Sequence, residues 1–205
     1  MDILQKSKNN QRRIGLTGGI ASGKPTITNY IRKHKNVPIL DADKLSRELI
    51  KPNTYGYKKI LNYFGNKIID NKNNSEKEIN RTLLRNIIFK NTENKEWIEK
   101  LLHPLIKEKM IEQCSQYKNN QTIVLVIPLL FEAKFEDICT EIWLVKCPKE
   151  LQKKRLIARD KISEKEAYES INLQLSFEEK RKFSDIILDN SDNQNKWIKT
   201  IRELL

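Results

Sequence analysis

Residues 13–26 read RIGLTGGIASGKPT, and the fold that the sequence predicts starts from this stretch. Residues 13–17 contain Ile14 and Leu16 and have the composition of a short buried strand. A glycine-rich turn follows, and from Lys24 to His34 apolar residues recur with helical spacing. A strand that passes through such a turn directly into a helix is typical of an α/β protein.

The turn matches the pattern of a phosphate-binding loop, in which a glycine, any four residues, Gly-Lys and Ser or Thr follow one another. Only the last position differs, because Pro25 stands there. Glycines let backbone N–H groups wrap a phosphate, the helix directs its positive end at the anion, and the lysine reaches the β- and γ-phosphates. The alternative is a simple turn with a solvated Lys24. The predicted nucleotide-binding residues are Gly18, Gly19, Ala21, Ser22, Gly23, Lys24, Pro25 and Thr26.

Pro25 removes two contacts that the pattern normally supplies. The hydroxyl of the usual Ser or Thr binds Mg²⁺ and its N–H helps to hold a phosphate, and proline has neither group. Proline also biases Lys24 away from helical geometry, although a proline in the first helical turn is well tolerated. Thr26 points about 100° further round the helix, so we expect only a weak ligand for Mg²⁺ carried by the nucleotide.

Two acids, Asp41 and Asp43, follow the second predicted strand. The carboxyl ends of parallel strands face the ligand crevice, so an acid there is well placed to meet a group that accepts a phosphoryl. The alternative is helix capping, because Asp commonly precedes a helix. Both hold if one acid caps the helix while the other takes part in the chemistry.

The rest of the chain alternates short apolar runs with amphipathic ones, which predicts βαβ units and a mostly parallel sheet. The stretch from Tyr55 to Gln116 lacks a strand signal and contains a polar loop at Asn71 to Asn74, so we expect a helical insertion there. The predicted strands are 13–17, 37–40, 122–127, 142–145 and 186–188. The predicted helices are 24–34, 43–50, 56–64, 80–89, 92–116, 149–159, 163–173 and 193–204.

Length and composition exclude several classes of protein. A chain of 205 residues with 38% hydrophobic and 32% charged residues fits one globular domain, and no apolar run approaches the ~20 residues of a bilayer span. Three cysteines without a short-spaced pair, and two histidines, argue against a disulfide framework or a zinc site. Residues 1–13 contain no secretory apolar segment, so we expect a cytoplasmic protein without membrane contact. Nothing in the sequence indicates an oligomeric state.

The formal charge of +12 is compatible with nucleic-acid binding, but the pattern of charges favours another explanation. The chain has 29 Lys and only 10 Arg, as expected for a compositional bias of the genome. Residues 148–182 mix ten basic with seven acidic side chains, which is typical of a solvated helical face. We therefore expect no specific nucleic-acid partner.

The residues resemble the dephospho-CoA kinases along most of the chain and in the right order. The most discriminating segments are His103-Pro104-Leu105-Ile106 and Pro128-Leu129-Leu130-Phe131-Glu132. The others are Ile14 to Ile20 with Ser22-Gly23-Lys24, Asp41-Ala42-Asp43, Tyr63-Phe64-Gly65, Asn80-Arg81 with Leu84-Arg85 and Phe89, Gln152, Arg155, Arg159-Asp160, Gln174, Ser184-Asp185, Ile187 and Asn190.

The resemblance implies a P-loop core with a five-stranded parallel sheet flanked by helices, a helical acceptor-binding part at residues 55–117 and a lid at residues 148–182. It implies transfer of the γ-phosphoryl of ATP, with Mg²⁺, to the ribose 3′-hydroxyl of dephospho-CoA. Lys24 and the lid residues Arg155 and Arg159 would then neutralise charge, and Asp43 would accept or orient the hydroxyl proton. Arg85 and His103 match positions on the acceptor side.

Several alternatives stay open at this point. The two arginines lie one turn apart and on one face of a helix, but they are equally suited to salt bridges with Glu150 or Asp160. His103 is suited to satisfying backbone groups where Pro104 breaks a long helix. Ala21, where relatives usually have glycine, fits if its φ stays negative. Another small P-loop kinase, or a protein impaired by Pro25, are the alternative functions.

Overall fold

The computed structural model of the protein describes residues 11–69, 77–119 and 121–205. Its strands are β1 (Arg12–Gly18), β2 (Ile39–Asp41), β3 (Thr122–Val126), β4 (Glu141–Lys146) and β5 (Ile186–Asp189). Its α-helices are α1 (Lys24–His34), α2 (Ala42–Leu49), α3 (Tyr55–Phe64), α4 (Arg81–Lys90), α5 (Thr92–Ser115), α6 (Lys149–Asp160), α7 (Glu164–Asn172), α8 (Phe177–Arg181) and α9 (Gln194–Leu204). Short 3₁₀ turns cover Asn66–Ile68 and Glu136–Ile138.

The five strands form one sheet in the order β2-β3-β1-β4-β5, and every neighbouring pair is parallel. Leu16 of β1 lies beside Val126 of β3 on one side and Trp143 of β4 on the other. The predicted five-stranded parallel sheet is confirmed. Because β1 is central, the loop that follows it leaves the middle of the carboxyl edge, where open α/β sheets bind ligands.

Apolar side chains explain why the strands are buried on both faces. Ile14, Leu16, Val124 and Trp143 are almost completely buried. These four side chains lie on one face of the sheet and pack in one cluster with Ile27 and Ile31 of α1 and Trp197 and Ile201 of α9. Ile123, Leu125 and Leu144 alternate with them along β3 and β4 and are buried on the opposite face. Continuous β-branched and aromatic runs are what a parallel sheet covered on both faces requires.

The chain divides into two compact units. The sheet unit comprises residues 1–41 and 113–205, and the helical unit comprises Ala42–Glu112. The helical unit has its own core, which includes Ile60 and Ile68, and the rings of Tyr63 and Trp97 stack with centroids 4.0 Å apart. An isolated antiparallel bridge, which was not predicted from the sequence, joins Ile69 to Ile79. The predicted loop at Asn71 to Asn74 lies outside the described residues.

The helix predicted over residues 92–116 is confirmed as α5, which continues through Pro104 from Thr92 to Ser115, so the alternative in which Pro104 breaks the helix beside His103 is wrong. Proline removes one N–H and crowds the carbonyl four residues earlier, so an interior proline normally destabilises a helix. Here Ile98 on one side of the proline, and Ile106 and Met110 on the other, are buried. This burial on both sides outweighs the local preference, and Pro104 itself lies on the exposed side.

Residues 148–182 contain three helices where two were predicted. The additional helix, α8, has only five residues and begins after Ser176. Ser176 accepts a hydrogen bond from the N–H of Glu179, whose carboxylate accepts one from the N–H of Ser176. The same capping box at Ser163 and Glu166 begins α7.

Among the described residues, no helix is long and apolar enough to cross a membrane.

Candidate active site

The glycine-rich turn forms a tight loop between the end of β1 and the first residue of α1. Gly23 has a φ of 99° and ends the loop, a left-handed conformation that glycine adopts without strain. A Cβ on Gly23 would clash with the side-chain amide of Asn190, and one on Gly18 would lie 2.9 Å from the carbonyl of Val145. The loop therefore needs glycine at both positions to pass close to its neighbours.

Lys24 is the first residue of α1, so the predicted displacement of this lysine from helical geometry by Pro25 is not found. Its ammonium donates hydrogen bonds to the carbonyls of Gly18 at 2.6 Å and Gly19 at 3.0 Å. The residue is only 8% exposed. Lys24 is thus held inside the curve of the loop, where a bound phosphate would meet its positive charge.

Pro25 lies in the first turn of α1 and leaves the helix intact, as predicted. Its carbonyl accepts a hydrogen bond of 3.0 Å from the hydroxyl of Thr28. The N–H of Thr26 donates to the carbonyl of Gly23 at 3.0 Å, and Thr26 is exposed. The turn therefore forms although Pro25 has no backbone N–H. The loop lacks the donor that a Ser or Thr at this position would offer to a ligand.

Ala21 adopts a φ of 57°, so the condition that its φ stays negative is not met. Left-handed geometry costs a residue with a Cβ about 1–2 kcal/mol. Packing opposes this cost, because Ala21 and Ile20 contact a small buried cluster formed by α6 and α7, with Leu156, Ala167 and Ile171 at its centre. The loop is thus packed against the lid helices at a strained residue.

Two side chains far along the sequence brace the loop, and sequence reasoning gave neither of them a role. The Oε1 of Gln174 accepts a hydrogen bond of 2.7 Å from the N–H of Ile20. Asn190, which is buried, donates to the carbonyl of Ser22 at 2.8 Å and accepts from the indole N–H of Trp197 at 3.1 Å. Both residues stand at positions where the chain resembles the dephospho-CoA kinases, and this resemblance was the signal in the sequence that could have pointed to them.

The two lid arginines lie one turn apart on α6, as the spacing predicts, but their side chains have different partners. Arg155 lies beside the loop, with its Nη1 3.4 Å from the Sγ of Cys147 and 3.5 Å from the place that a Cβ on Gly23 would take. The guanidinium of Arg159 instead binds both carboxylate oxygens of Asp160, at 2.7 and 2.9 Å. These hydrogen bonds raise the pKa of Arg159. The salt-bridge alternative therefore describes Arg159 in this structure.

A cavity of about 330 Å³ opens next to the loop within the sheet unit. This volume falls in the range of roughly 300–1,000 Å³ that is usual for sites of small ligands. Gln152 contributes to its wall and is fixed by a 2.8 Å hydrogen bond from its Nε2 to the carbonyl of Cys147. The cavity is lined by Gly19, Cys147, Lys149, Gln152, Ile171, Asn172, Gln174, Leu175, Ser176, Phe177 and Glu179.

The predicted acceptor residues lie on three helices of the helical unit. Asp43 is in the first turn of α2 and exposed, whereas Asp41 ends β2 and directly precedes that helix. Arg85 lies on α4 and is exposed. His103 lies on α5, where partial burial lowers its pKa and the carboxylate of Glu99, one turn away, opposes the shift.

Similarity to known proteins agrees with this geometry. The profile of the dephospho-CoA kinase family matches residues 12–196. The chain belongs to the dephospho-CoA kinase family. It is 88% identical to a dephospho-CoA kinase of Prochlorococcus marinus strain MIT 9312 and 62% identical to one of Prochlorococcus marinus subsp. pastoris, over the full length of all chains. The dephospho-CoA kinase from Campylobacter jejuni superposes with a TM-score of 0.69 at 31% identity, covering 95% of this chain and 97% of the other.

Membership of the dephospho-CoA kinase family makes this chain an ATP-dependent kinase. Glu132 stands in one of the segments that resemble the dephospho-CoA kinases, and its contacts in the structure show what it does. Its Oε1 lies 2.9 Å from the ammonium of Lys180, which is only 1% exposed, and accepts a 3.0 Å hydrogen bond from the N–H of Leu175. Glu132 thereby holds the segment that carries Gln174, which in turn binds the phosphate loop.

Proposed function

We propose that this kinase transfers the γ-phosphoryl of ATP to the ribose 3′-hydroxyl of dephospho-CoA, which gives CoA and ADP. The loop after β1, in which the ammonium of Lys24 is held 2.6 Å from the carbonyl of Gly18, supports ATP as the donor. Membership of the dephospho-CoA kinase family supports dephospho-CoA as the acceptor. A buried cation inside a loop of backbone N–H groups is suited to the β- and γ-phosphates of a nucleotide.

On the donor side, the protein's contribution is positioning and charge neutralisation, since phosphoryl transfer requires little covalent chemistry from the enzyme. Lys24 and Arg155 are cations that lie beside the loop, and we assign them to the charge of the transferring phosphoryl. Arg159 joins them only if it leaves Asp160 when the lid closes. Closure of residues 148–182 over the nucleotide would exclude water from the reaction.

On the acceptor side, we assign the ribose hydroxyl to Asp43, which would accept or orient its proton. Arg85 and His103 would bind or brace the acceptor within residues 55–117. Partial burial lowers the pKa of His103 from its ordinary value, against the opposing effect of Glu99, and so favours the uncharged imidazole. Arg85 therefore supplies charge to this side, and His103 supplies neutral hydrogen-bonding groups.

Mg²⁺ assists phosphoryl transfer by neutralising the charge of the phosphates, but the loop fits the ion poorly. Pro25 offers no hydroxyl, and the hydroxyl of Thr26 lies on an exposed position one residue further along α1. Within the described residues, no group of three or more His, Cys, Asp and Glu is placed to hold a metal. We therefore propose that the phosphates of ATP hold the ion, with Thr26 as a weak ligand, and that turnover is slow.

The experiment that tests the function measures phosphoryl transfer by the purified protein. We expect ADP formation that depends on dephospho-CoA and exceeds that with a panel of nucleosides and nucleotides. A preference for a nucleoside would favour another small P-loop kinase. Failure with every acceptor would favour a protein that binds nucleotide without turnover because of Pro25.

The role of Asp43 has its own test. If this carboxylate accepts or orients the hydroxyl proton, Asp43→Asn should reduce kcat by roughly 10²- to 10⁴-fold and leave the affinity for ATP nearly unchanged. Asp41→Asn is the control and should do less. An equal loss in both variants would mean that the wrong acid has been assigned, and normal turnover of Asp43→Asn would exclude the role.

We also propose a cytosolic location and no specific nucleic-acid partner. Cys114, Cys139 and Cys147 are all free thiols, which suits a reducing compartment. Burial raises the pKa of Cys139 to about 12, so this thiol stays protonated and unreactive at neutral pH.

A further inference from the structure

A second cavity, which we call the basic cavity, lies within the helical unit and has a volume of about 210 Å³. Arg47 in the last turn of α2, Lys51 just after that helix, and Arg81 at the first residue of α4 contribute its positive side chains. Ile50 and Ile79, both buried, form its apolar wall. Pro52 and Glu78 complete the lining.

The charges of the basic cavity are unbalanced. Three cations and one acid, Glu78, line it. Within the part of the chain that the structure describes, Arg47, Lys51 and Arg81 form no ion pair, and neither does Glu78. Like charges gathered around one cavity repel one another. Such a cluster is suited to an anion, because guanidinium groups bind phosphate oxygens through paired, charge-assisted hydrogen bonds.

The size and position of the basic cavity indicate that its ligand is one group of the acceptor rather than the whole molecule. The cavity is smaller than the roughly 300 Å³ at which sites for whole drug-sized ligands begin. Asp43 and Arg47 are four residues apart on α2, so their Cβ atoms share one face at about 5–6 Å. In a nucleoside diphosphate, only a few covalent bonds separate the 3′-hydroxyl from the 5′-diphosphate.

We propose that the basic cavity binds the diphosphate group of the acceptor, with Arg47 and Arg81 as its main ligands and Lys51 as a supporting charge. This inference rests on the proposed function, because it takes Asp43 as the residue that meets the 3′-hydroxyl. An acceptor held in this way is anchored one helical turn from the reacting atom. The cavity therefore selects acceptors with a 5′-diphosphate over simple nucleosides.

Steady-state kinetics of the purified full chain test the proposal. We expect Arg47→Gln and Arg81→Gln to raise KM for dephospho-CoA by roughly 10- to 100-fold, the effect of losing a hydrogen bond to a charged group. KM for ATP and the melting temperature should stay the same. Arg47→Lys keeps the charge but loses the paired geometry, so it should recover only part of the loss.

The matched control is Lys100→Gln, which removes one positive charge from an exposed position of the same unit. If this control raises KM for dephospho-CoA as much as Arg47→Gln does, general electrostatic attraction explains the effect and the subsite is wrong. Adenosine, which lacks the diphosphate, provides a second comparison. An equal loss with adenosine and with dephospho-CoA would also overturn the assignment.

Direct binding keeps the subsite separate from the overall function. Calorimetry with dephospho-CoA alone, without ATP, needs no turnover. If the protein fails to phosphorylate dephospho-CoA but binds it, and Arg81→Gln weakens that binding at least 10-fold, the proposed reaction is wrong and the subsite stands. If Arg47→Gln and Arg81→Gln both bind dephospho-CoA as tightly as the unmodified protein, the subsite is excluded whatever the kinetics show.

Discussion

Pro25 occupies the second position of α1. A backbone N–H at this position is not needed for the helix, but it normally helps to hold a phosphate of the nucleotide. The helix begins normally at Lys24, and the lysine keeps its contacts with Gly18 and Gly19. Because the loop has lost a hydroxyl and an N–H, we expect Pro25→Ser to raise kcat and to lower the Mg²⁺ concentration needed for half-maximal rate. Thermal stability should change little.

The measurement is a Mg²⁺ titration of initial rates at saturating ATP, with Thr26→Val as the comparison. If Thr26 is a weak ligand in the unmodified protein, its hydroxyl should matter with Pro25 present and lose importance in Pro25→Ser. Equal rates and equal titrations for the unmodified protein and Pro25→Ser would show that another group supplies the missing ligand.

Ala21 is the second residue at which the loop departs from expectation, and its φ of 57° has a measurable effect on stability. Ala21→Gly removes the left-handed strain but also gives the unfolded chain more freedom. We expect a net gain of about 0.5–1 kcal/mol in the free energy of unfolding. Urea denaturation measures it.

Ala158→Gly is the matched control, because Ala158 is exposed inside α6 and has ordinary helical geometry. That variant should lose about 1 kcal/mol, as glycine does inside helices. A loss of similar size in Ala21→Gly would mean that packing against α6 and α7, rather than backbone strain, dominates at position 21.

At the scale of elements, the ion pair between the buried Lys180 and the partly exposed Glu132 holds α8 in place. Removing one partner of such a pair leaves a buried charge without compensation and costs about 3–5 kcal/mol. We expect this loss for Glu132→Gln in urea denaturation. Replacing both partners, as in Glu132→Gln with Lys180→Met, should recover most of the stability, because no charge then remains buried.

The same pair of variants has a kinetic readout, since Glu132 also holds the N–H of Leu175 next to Gln174. KM for ATP should rise in Glu132→Gln and stay raised in the double variant, although stability recovers. If KM returns to normal together with stability, Glu132 acts only on folding and does not position the segment that binds the phosphate loop.

The sequence predicted all five strands and eight of the nine described α-helices to within a few residues, because each has a strong apolar period or a clear terminal signal. Its errors have physical causes. At Pro104, burial of side chains before and after the proline outweighs a local preference. The five-residue helix α8 is too short to show a period, although Ser176 and Glu179 already spelled a capping box.

Within the candidate site, the phosphate loop was predictable because its residues are contiguous and each has a steric or electrostatic reason. The braces were not, because Gln174 and Asn190 reach the loop from more than 150 residues away along the chain, and only the folded structure brings them together. The different partners of Arg155 and Arg159 could not be predicted either. Helical spacing places two residues on one face but does not decide that Asp160 captures one of them.

At the scale of the whole molecule, the charge of +12 leads to a prediction about nucleic acids. If the charge reflects composition, binding to RNA and DNA should be weak, independent of sequence and abolished by moderately raised salt. Nucleic acid should then leave ATP turnover unchanged. Filter binding at several salt concentrations measures the first part, and sequence-selective binding that survives raised salt would contradict the prediction.

The hydrogen bonds that run from Trp197 through Asn190 to Ser22 have an optical consequence. The indole N–H is a sensitive part of the tryptophan chromophore, and here it is tied, through a single amide, to the backbone of the phosphate loop. We expect movement of the loop on nucleotide binding to alter these hydrogen bonds and so to change the fluorescence of Trp197. Trp197 would then report binding at the donor site in real time without a label, and a Trp197→Phe variant would identify its signal beside those of Trp97 and Trp143.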